Sequence, residues 1–262
     1  MTKKSRVVFI SGASSGIGRA AVIAFIKNGD DVVGFARREA KLKALADEIQ
    51  AYPEGKGRFL AVQGDITERE SVEAAFAELE TTFKKLDIVI ANAGIGQRGA
   101  LGDADWQDIE QVLRTNIDGV IHSIQVAVPL MRLNPDGGQI ITISSVAATL
   151  ISPYTASYAA SKAFVSSLTA SIRVELKHEN IRVTDFLIGR TATEFNEKRL
   201  GEGKRKASKL PEMNPDEVAE ALVRASYKNQ GKVIMRLLDR LIIWGNRLIP
   251  GIMGKMAAAQ YK

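Results

Sequence analysis

The chain has no cysteine and only two histidines, His122 and His178, among 262 residues. Without thiols it has no disulfide, no thiolate metal site and no cysteine nucleophile. The two imidazoles lie far apart at no metal-ligand spacing. Each therefore reads as a structural or surface residue, and no metal is expected. Long apolar runs are missing too. The first apolar segment, Val7-Val8-Phe9-Ile10, follows directly on Met1-Thr2-Lys3-Lys4-Ser5-Arg6 and is too short for a signal-peptide core. No other stretch approaches the ~20 residues of a membrane span. A cytoplasmic address is the expectation.

What is present is an ordinary globular composition, 45% hydrophobic with mean hydropathy near zero. The length fits one large α/β domain or at most two small ones. The net charge of +6 is unevenly placed. Residues 228–262 carry seven bases (Lys228, Lys232, Arg236, Arg240, Arg247, Lys255 and Lys262) against Asp239 alone, which equals the whole excess. The basic character belongs to the tail, so no nucleic-acid partner is expected.

Short β-rich runs at 7–10, 31–35, 58–63, 88–91, 139–143, 182–187 and 232–235 alternate with helical patterns. The helices fall around 18–27, 40–51, 71–83, 104–133, 157–178 and 215–227. Most strands are continuously apolar, the mark of strands covered on both faces. Strand–helix alternation then implies an α/β fold with a parallel, doubly wound sheet. No linker, repeat or low-complexity tract interrupts it, so residues 1–262 are expected to form a single domain. Two segments break the rhythm: a charged, glycine-containing loop at 194–213 and an amphipathic extension at 236–262.

The first strand runs into Ser11-Gly12-Ala13-Ser14-Ser15-Gly16-Ile17-Gly18 and then a helix. Glycines permit a tight turn and let the backbone approach a pyrophosphate, which the helix N–H groups then bind. A simple strand–helix turn needs one glycine and leaves the other two unexplained. Further on, Tyr158 and Lys162 stand one helical turn apart, with Ser145 thirteen residues before the tyrosine. An ammonium beside a phenol eases proton loss from a group that normally titrates near ~10. Such a tyrosine is a general acid to a carbonyl or a general base to an alcohol. Taken alone, Tyr and Lys at this spacing are a common helix-surface pattern, Ser145 a strand-end hydroxyl and Asn116 a mid-helix polar residue.

Together with Asn92-Ala93-Gly94, the Gly-x-x-x-Gly-x-Gly turn, Ser145 and Tyr158-x-x-x-Lys162 make the chain similar to the short-chain dehydrogenase/reductase family, in its classical branch. The resemblance covers roughly residues 6–193 with every main motif in order. It implies one Rossmann-type domain with about seven parallel strands and helices on both faces. It also implies a homodimer or homotetramer acting on a small carbonyl or alcohol.

By the same resemblance, Ser145 donates a hydrogen bond to the substrate oxygen and Tyr158 exchanges its proton. Lys162 lowers the phenol pKa and binds the nicotinamide ribose, and Asn116 anchors a proton relay. The family's offset to the tyrosine selects Ser145 over Ser144. The cofactor site then comprises Gly12, Ser14, Ser15, Gly16, Ile17 and Gly18, with Asp65 and Ile66 at the adenine. Asn92, Ala93 and Gly94 line the cleft, and Ile188, Thr191 and Thr193 lie at the nicotinamide beside Tyr158 and Lys162. Ile188 stands where the family usually has proline. The second strand ends in Ala36-Arg37-Arg38, with no carboxylate before Glu39. Arg37, supported by Arg38, would hold a 2′-phosphate, so NADP(H) is favoured over NAD(H). A solvated helix start is the plainer reading of Arg38-Glu39, and Ser15 stands where many NADP-preferring relatives carry a base.

Substrate residues are expected at 95–98, 146–154 and 194–213, with Val146, Leu150, Ile151 and Tyr154 forming an apolar pocket. Lys204-Arg205-Lys206 would suit a phosphopantetheine or other anion, or simply be solvated. In the extension, Arg236, Asp239, Arg240, Asn246 and Arg247 fall on one helical face, with Leu237, Leu238, Leu241, Ile242, Leu248 and Ile249 largely opposite. Pro250-Gly251 is expected to stop that helix. Packing on its own domain or a sister subunit ranks first for this segment. Closure over a hydrophobic entrance ranks second, and peripheral contact with an anionic membrane third. The reading is an NADP-preferring carbonyl/alcohol oxidoreductase on a hydrophobic substrate. A 3-oxoacyl thioester reductase is the rival within that class, and a non-catalytic NADP-binding sensor or scaffold the rival outside it.

Overall fold

The computed structural model describes residues 5–52, 57–203 and 211–261, so Lys204-Arg205-Lys206 lies outside the described residues. The strands are β1 (Val7–Ser11), β2 (Asp31–Ala36), β3 (Phe59–Gln63), β4 (Ile88–Ala91), β5 (Gly138–Ser145), β6 (Ile181–Ile188) and β7 (Lys232–Ile234). They form one parallel sheet in the order β3-β2-β1-β4-β5-β6-β7. The chain winds outward from β1 to β3, then returns to start again at β4. A crevice therefore opens at the carboxyl ends of β1 and β4, where such sheets bind ligands.

Strand β1 shows why its sequence is apolar throughout. Val7 and Phe9 point into one core with Phe35, Phe76 and Leu79, while Val8 and Ile10 point into the other with Phe25 and Ile26. Helices α3 (Arg69–Phe83), α5 (Gly119–Arg132) and α6 (Ala156–Glu175) cover the first face. Helices α1 (Gly16–Lys27), α2 (Glu39–Gln50) and α7 (Pro215–Ala225) cover the second. Phe9 and Phe76 meet with ring centroids 4.3 Å apart. Each such side chain, fully buried, contributes about 2–3 kcal/mol.

The helix expected over 104–133 is divided. Helix α4 (Trp106–Leu113) passes into a wider π-helical turn, Arg114–Asp118, before α5 begins. Such turns insert one extra residue and often mark functional positions. The described start of the 194–213 loop is pinned across the top of the sheet, through Arg98 N to Leu200 O (2.8 Å) and Leu200 N to Gly96 O (2.8 Å).

The extension is helical as expected, in two pieces. The first, α8 (Leu237–Leu248), stops before Pro250, and Pro250 then starts a second, α9 (Pro250–Ala258). Proline suits a first helical position because its missing N–H has no intrahelical partner there. The inner face of α8 mixes apolar Leu238 and Ile242 with polar Asp239 and Asn246. Asp239 is buried against Arg236 (2.6 and 2.9 Å), and Asn246 bonds Thr149 O (2.9 Å) and Ile151 N (3.1 Å). Leu237, Leu241, Trp244 and Leu248 face outward. Asp239 and Asn246 thus fasten the inner side of α8 to the domain.

Candidate active site

The glycine turn is a cradle that side chains would fill. Gly12 and Gly16 have φ of 71° and 53°, a region L-residues rarely adopt. A Cβ on Gly12 would lie 2.9 Å from Asn92 Nδ2, and one on Gly18 would lie 2.2 Å from Gly12 O. The turn is held by Gly12 N donating to Phe35 O at 2.8 Å. Ser11 Oγ accepts from the N–H groups of Asn92 and Ala93, both at 3.0 Å, while Asn92 Nδ2 donates to Ser11 O at 2.9 Å. The ends of β1 and β4 are thereby tied at the crevice. Close backbone with no side chain in the way fits a dinucleotide pyrophosphate. Gly18→Ala is expected to cost about 1–3 kcal/mol of stability through overpacking against backbone. Nucleotide affinity should fall with it by an order of magnitude or more, and thermal melts with a binding titration check both.

Arg37 and Arg38 both line the cleft but differ in what they do. Arg38 donates to Ser14 Oγ (2.9 and 3.1 Å) and Ser15 Oγ (2.6 Å), clamping the turn from above. Arg37 leans to Asp65, 3.7 Å away. Glu194 lies 3.7 Å from Arg38 and 3.1 Å from Lys41, and also pairs with Lys198. The two lysines hold its carboxyl down at about 2, with Lys198 the larger influence.

The reacting centre lies where β5 ends and α6 begins. Tyr158 and Lys162 are both buried, on the face of α6 turned to the sheet. Burial raises the Tyr158 phenol, and the Arg199 charge and a hydrogen bond with Ser145 oppose that rise. Lys162 Nζ donates to Ile143 O at 2.8 Å, and burial lowers its pKa to about 8, partly offset by Asp185. Ser145 Oγ accepts from Ala147 N (3.2 Å) and donates to Ile188 O (3.3 Å). Ser144 is directed away, into a short hydrogen bond with buried Asp185. Strand alternation thus separates the two serines.

Asn116, in the π-helical turn, is fully buried and, alone among the predicted catalytic and cofactor residues, does not line the cleft. Its amide accepts from Ile95 N and donates to Ile95 O, both at 2.9 Å, and donates to Ser161 Oγ at 3.0 Å. Gly94 lies between it and the lysine: a Cβ there would be 3.2 Å from both Asn116 Oδ1 and Lys162 Nζ. Thr193 approaches Gly16, and Thr191 pairs with Met213. Ile188 lets the β5–β6 ladder run on to Ser145↔Ile188. Behind it Gly189 is covered by the Arg236–Asp239 pair, where a Cβ would be 2.5 Å from Asp239 Oδ2.

All these surfaces open on one cleft of about 910 Å³, which also takes in Ile95, Val146, Leu150 and Ile151. Tyr154 does not line it; with φ of 61° it stacks on Tyr261, 5.1 Å between centroids. Two contributors, Phe195 and Arg199, escaped residue-level reading. Phe195 sits 5.6 Å from the Tyr158 ring, and the Arg199 guanidinium 5.2 Å from it. The inner face of α8, with Leu238, Asp239 and Asn246, closes the far wall. Loop composition marked the first two only as a region.

Comparison with known proteins agrees with this arrangement. The short chain dehydrogenase family model matches residues 6–202. An L-rhamnose 1-dehydrogenase (NAD(P)(+)) of Sphingomonas sp. is 31% identical over 204 residues, covering 78% of this chain and 79% of that protein. An NADP-dependent 3-hydroxy acid dehydrogenase of Salmonella typhi is 31% identical over 230 residues, covering 82% and 87%. Among solved structures, a 3-ketoacyl-(acyl-carrier-protein) reductase of Brucella melitensis complexed with NADH superposes with a TM-score of 0.76 at 26% identity, covering 87% and 95%. With its parallel sheet, glycine turn and serine–tyrosine–lysine centre, this chain belongs to the classical short-chain dehydrogenase/reductase family.

Proposed function

We propose that the protein interconverts a carbonyl and an alcohol on a hydrophobic substrate, with NADP(H) preferred over NAD(H). The observation that carries the reading is the convergence of Ser145, at the end of β5, and buried Tyr158 on one cleft, with Lys162 one turn behind. A bound nicotinamide dinucleotide supplies or accepts the hydride. In reduction, Ser145 turns its weak hydrogen bond from Ile188 O to the substrate oxygen. Tyr158 then gives that oxygen its proton as charge develops there. Lys162 keeps positive charge beside the phenolate so formed. Asn116 holds the Gly94-Ile95 turn against the lysine and so anchors the path by which the phenol is reprotonated. Val146, Leu150, Ile151 and the inner face of α8 support an apolar substrate. A 3-oxoacyl thioester is the competing carbonyl, since the Brucella melitensis relative acts in that class by name. Assembly as a homodimer or homotetramer is part of the same proposal.

The preference for NADP(H) rests on Arg37 and Arg38 and the lack of a carboxylate at the end of β2. Arg38→Ala should weaken NADPH roughly 10- to 100-fold, the worth of a charge-assisted bond. NADH should change far less, and Arg37→Ala, which removes the more exposed of the two guanidinium groups, should act in the same direction. Steady-state kinetics with both nucleotides reads the ratio. Equal losses would mean that Arg38 only braces Ser14 and Ser15. The function itself is tested by a panel of ketones, aldehydes, steroid-like carbonyls and 3-oxoacyl thioesters with NADPH and NADH in parallel. Nucleotide that binds but is never consumed across the panel would overturn the enzymatic reading.

A further inference from the structure

Half of the exposed large hydrophobic side chains among the described residues fall within α8 and α9 and the turn between them. On α8, Leu237, Leu241, Trp244 and Leu248 recur at helical spacing and are 70, 59, 61 and 71% exposed. Ile252 extends the ridge onto α9. This ridge is not an accident of a loose helix. The opposite side of α8 is fastened to the domain by the Arg236–Asp239 pair and the Asn246 hydrogen bonds, so the apolar side is held outward.

Within α8 and α9 the exposed charges are of one sign. Arg240, Arg247 and Lys255 are exposed beside the ridge. The only acid in residues 237–261, Asp239, is buried and already paired. A self-complementary contact with a second copy would bring these bases together with no acid from this segment to meet them. An anionic lipid surface complements both features at once, taking the apolar ridge into the headgroup boundary and the bases against its phosphates. No described helix is long and apolar enough to cross a membrane, so contact would be peripheral.

We propose that α8 and α9 form a peripheral docking surface for an anionic bilayer. Leu237, Leu241, Trp244, Leu248 and Ile252 insert, and Arg240, Arg247 and Lys255 pair with lipid phosphates. Leu238 and Ile242 on the inner side of α8 line the cleft, so docking sets the substrate end of the site beside the lipid. The inference rests on the outer face alone and does not depend on the reaction.

The test uses the full chain with vesicles of phosphatidylcholine alone or mixed with phosphatidylglycerol. The wild-type protein should co-sediment with the mixed vesicles and stay in solution with phosphatidylcholine. In a Trp106→Phe background, Trp244 is the only remaining tryptophan, and its emission should shift to the blue on the anionic vesicles alone. Leu241→Glu with Trp244→Glu should abolish binding at unchanged melting temperature and turnover. Replacing Arg240, Arg247 and Lys255 by Gln should lower the partition coefficient on the order of a hundredfold. A wild-type chain that stays soluble with phosphatidylglycerol vesicles overturns the proposal. So does a stable dimer that dissociates in the Glu double variant, because a second copy would then cover the ridge.

Discussion

Tyr158→Phe lowers turnover by roughly 10²–10⁴-fold, the range lost when a positioned general acid or base is removed. The substitution deletes one oxygen from a buried ring and keeps its packing against Phe195. Nucleotide affinity should therefore stay within about twofold, since uniform binding is untouched. Stability should change little, because the neutral ring keeps its packing and only the hydroxyl is lost. Single-turnover kinetics with a nucleotide titration separates these effects. A comparable loss in nucleotide affinity would show that the ring is a binding element and not the proton donor.

Lys162→Met gives the second large effect, and activity and stability move in opposite directions. Burial takes the lysine from 10.5 to about 8, which corresponds to a cost on the order of 3 kcal/mol for carrying its charge in the folded state. Above pH 10.5 the amine is neutral in both states and the cost vanishes. Between about 8 and 10.5 the unfolded chain binds a proton the folded chain lacks, so this group's contribution makes stability rise with pH. Below about 8 the full cost applies. Methionine removes the charge and keeps the stem, leaving Ile143 O without its donor. The variant should then be more stable at pH 7 by about 1–2 kcal/mol, a melting shift of a few degrees, after the lost hydrogen bond is counted. Its stability should no longer climb between pH 8 and 10.5. Turnover should fall by roughly 10²-fold or more, because the phenolate loses its compensating charge. A less stable but fully active variant would make Lys162 a structural residue.

The fold was readable because its signal is distributed. Seven apolar runs with helical patterns between them leave few alternatives once both faces of each strand must be covered. The centre was readable for a different reason: Tyr158 and Lys162 lie on one helix, and Ser145 ends a strand, so spacing along the chain carries geometry. Arg37 and Arg38 show where this stops. The sequence places both at the end of β2, but only the fold shows that Arg38 clamps Ser14 and Ser15 while Arg37 turns to Asp65. Asn116 is similar, since its bonds to Ile95 and Ser161 depend on a π-helical turn that no local pattern announces.

The packing of the extension on its own domain was legible, but the residues that fasten it were not. Amphipathic periodicity identifies two faces without saying which side chains will find partners. Here Asp239 and Asn246 find partners of fixed geometry in Arg236 and in the backbone at Thr149 and Ile151. Those partners come from distant parts of the chain. Phe195 and Arg199 were legible only as members of a charged loop, since their reach over Tyr158 depends on how that loop crosses the sheet.

The central claim is that this centre moves hydride to or from a carbonyl carbon and a proton through Tyr158. The most direct measurement supplies NADPH deuterated at the transferable ring hydrogen with each carbonyl of the panel, followed by mass spectrometry of the alcohols. One deuterium on the carbinol carbon with the wild-type chain, and none above background with Tyr158→Phe, is the predicted result. Tight nucleotide binding with no labelled alcohol from any carbonyl, or equal labelling by the phenylalanine variant, would contradict it.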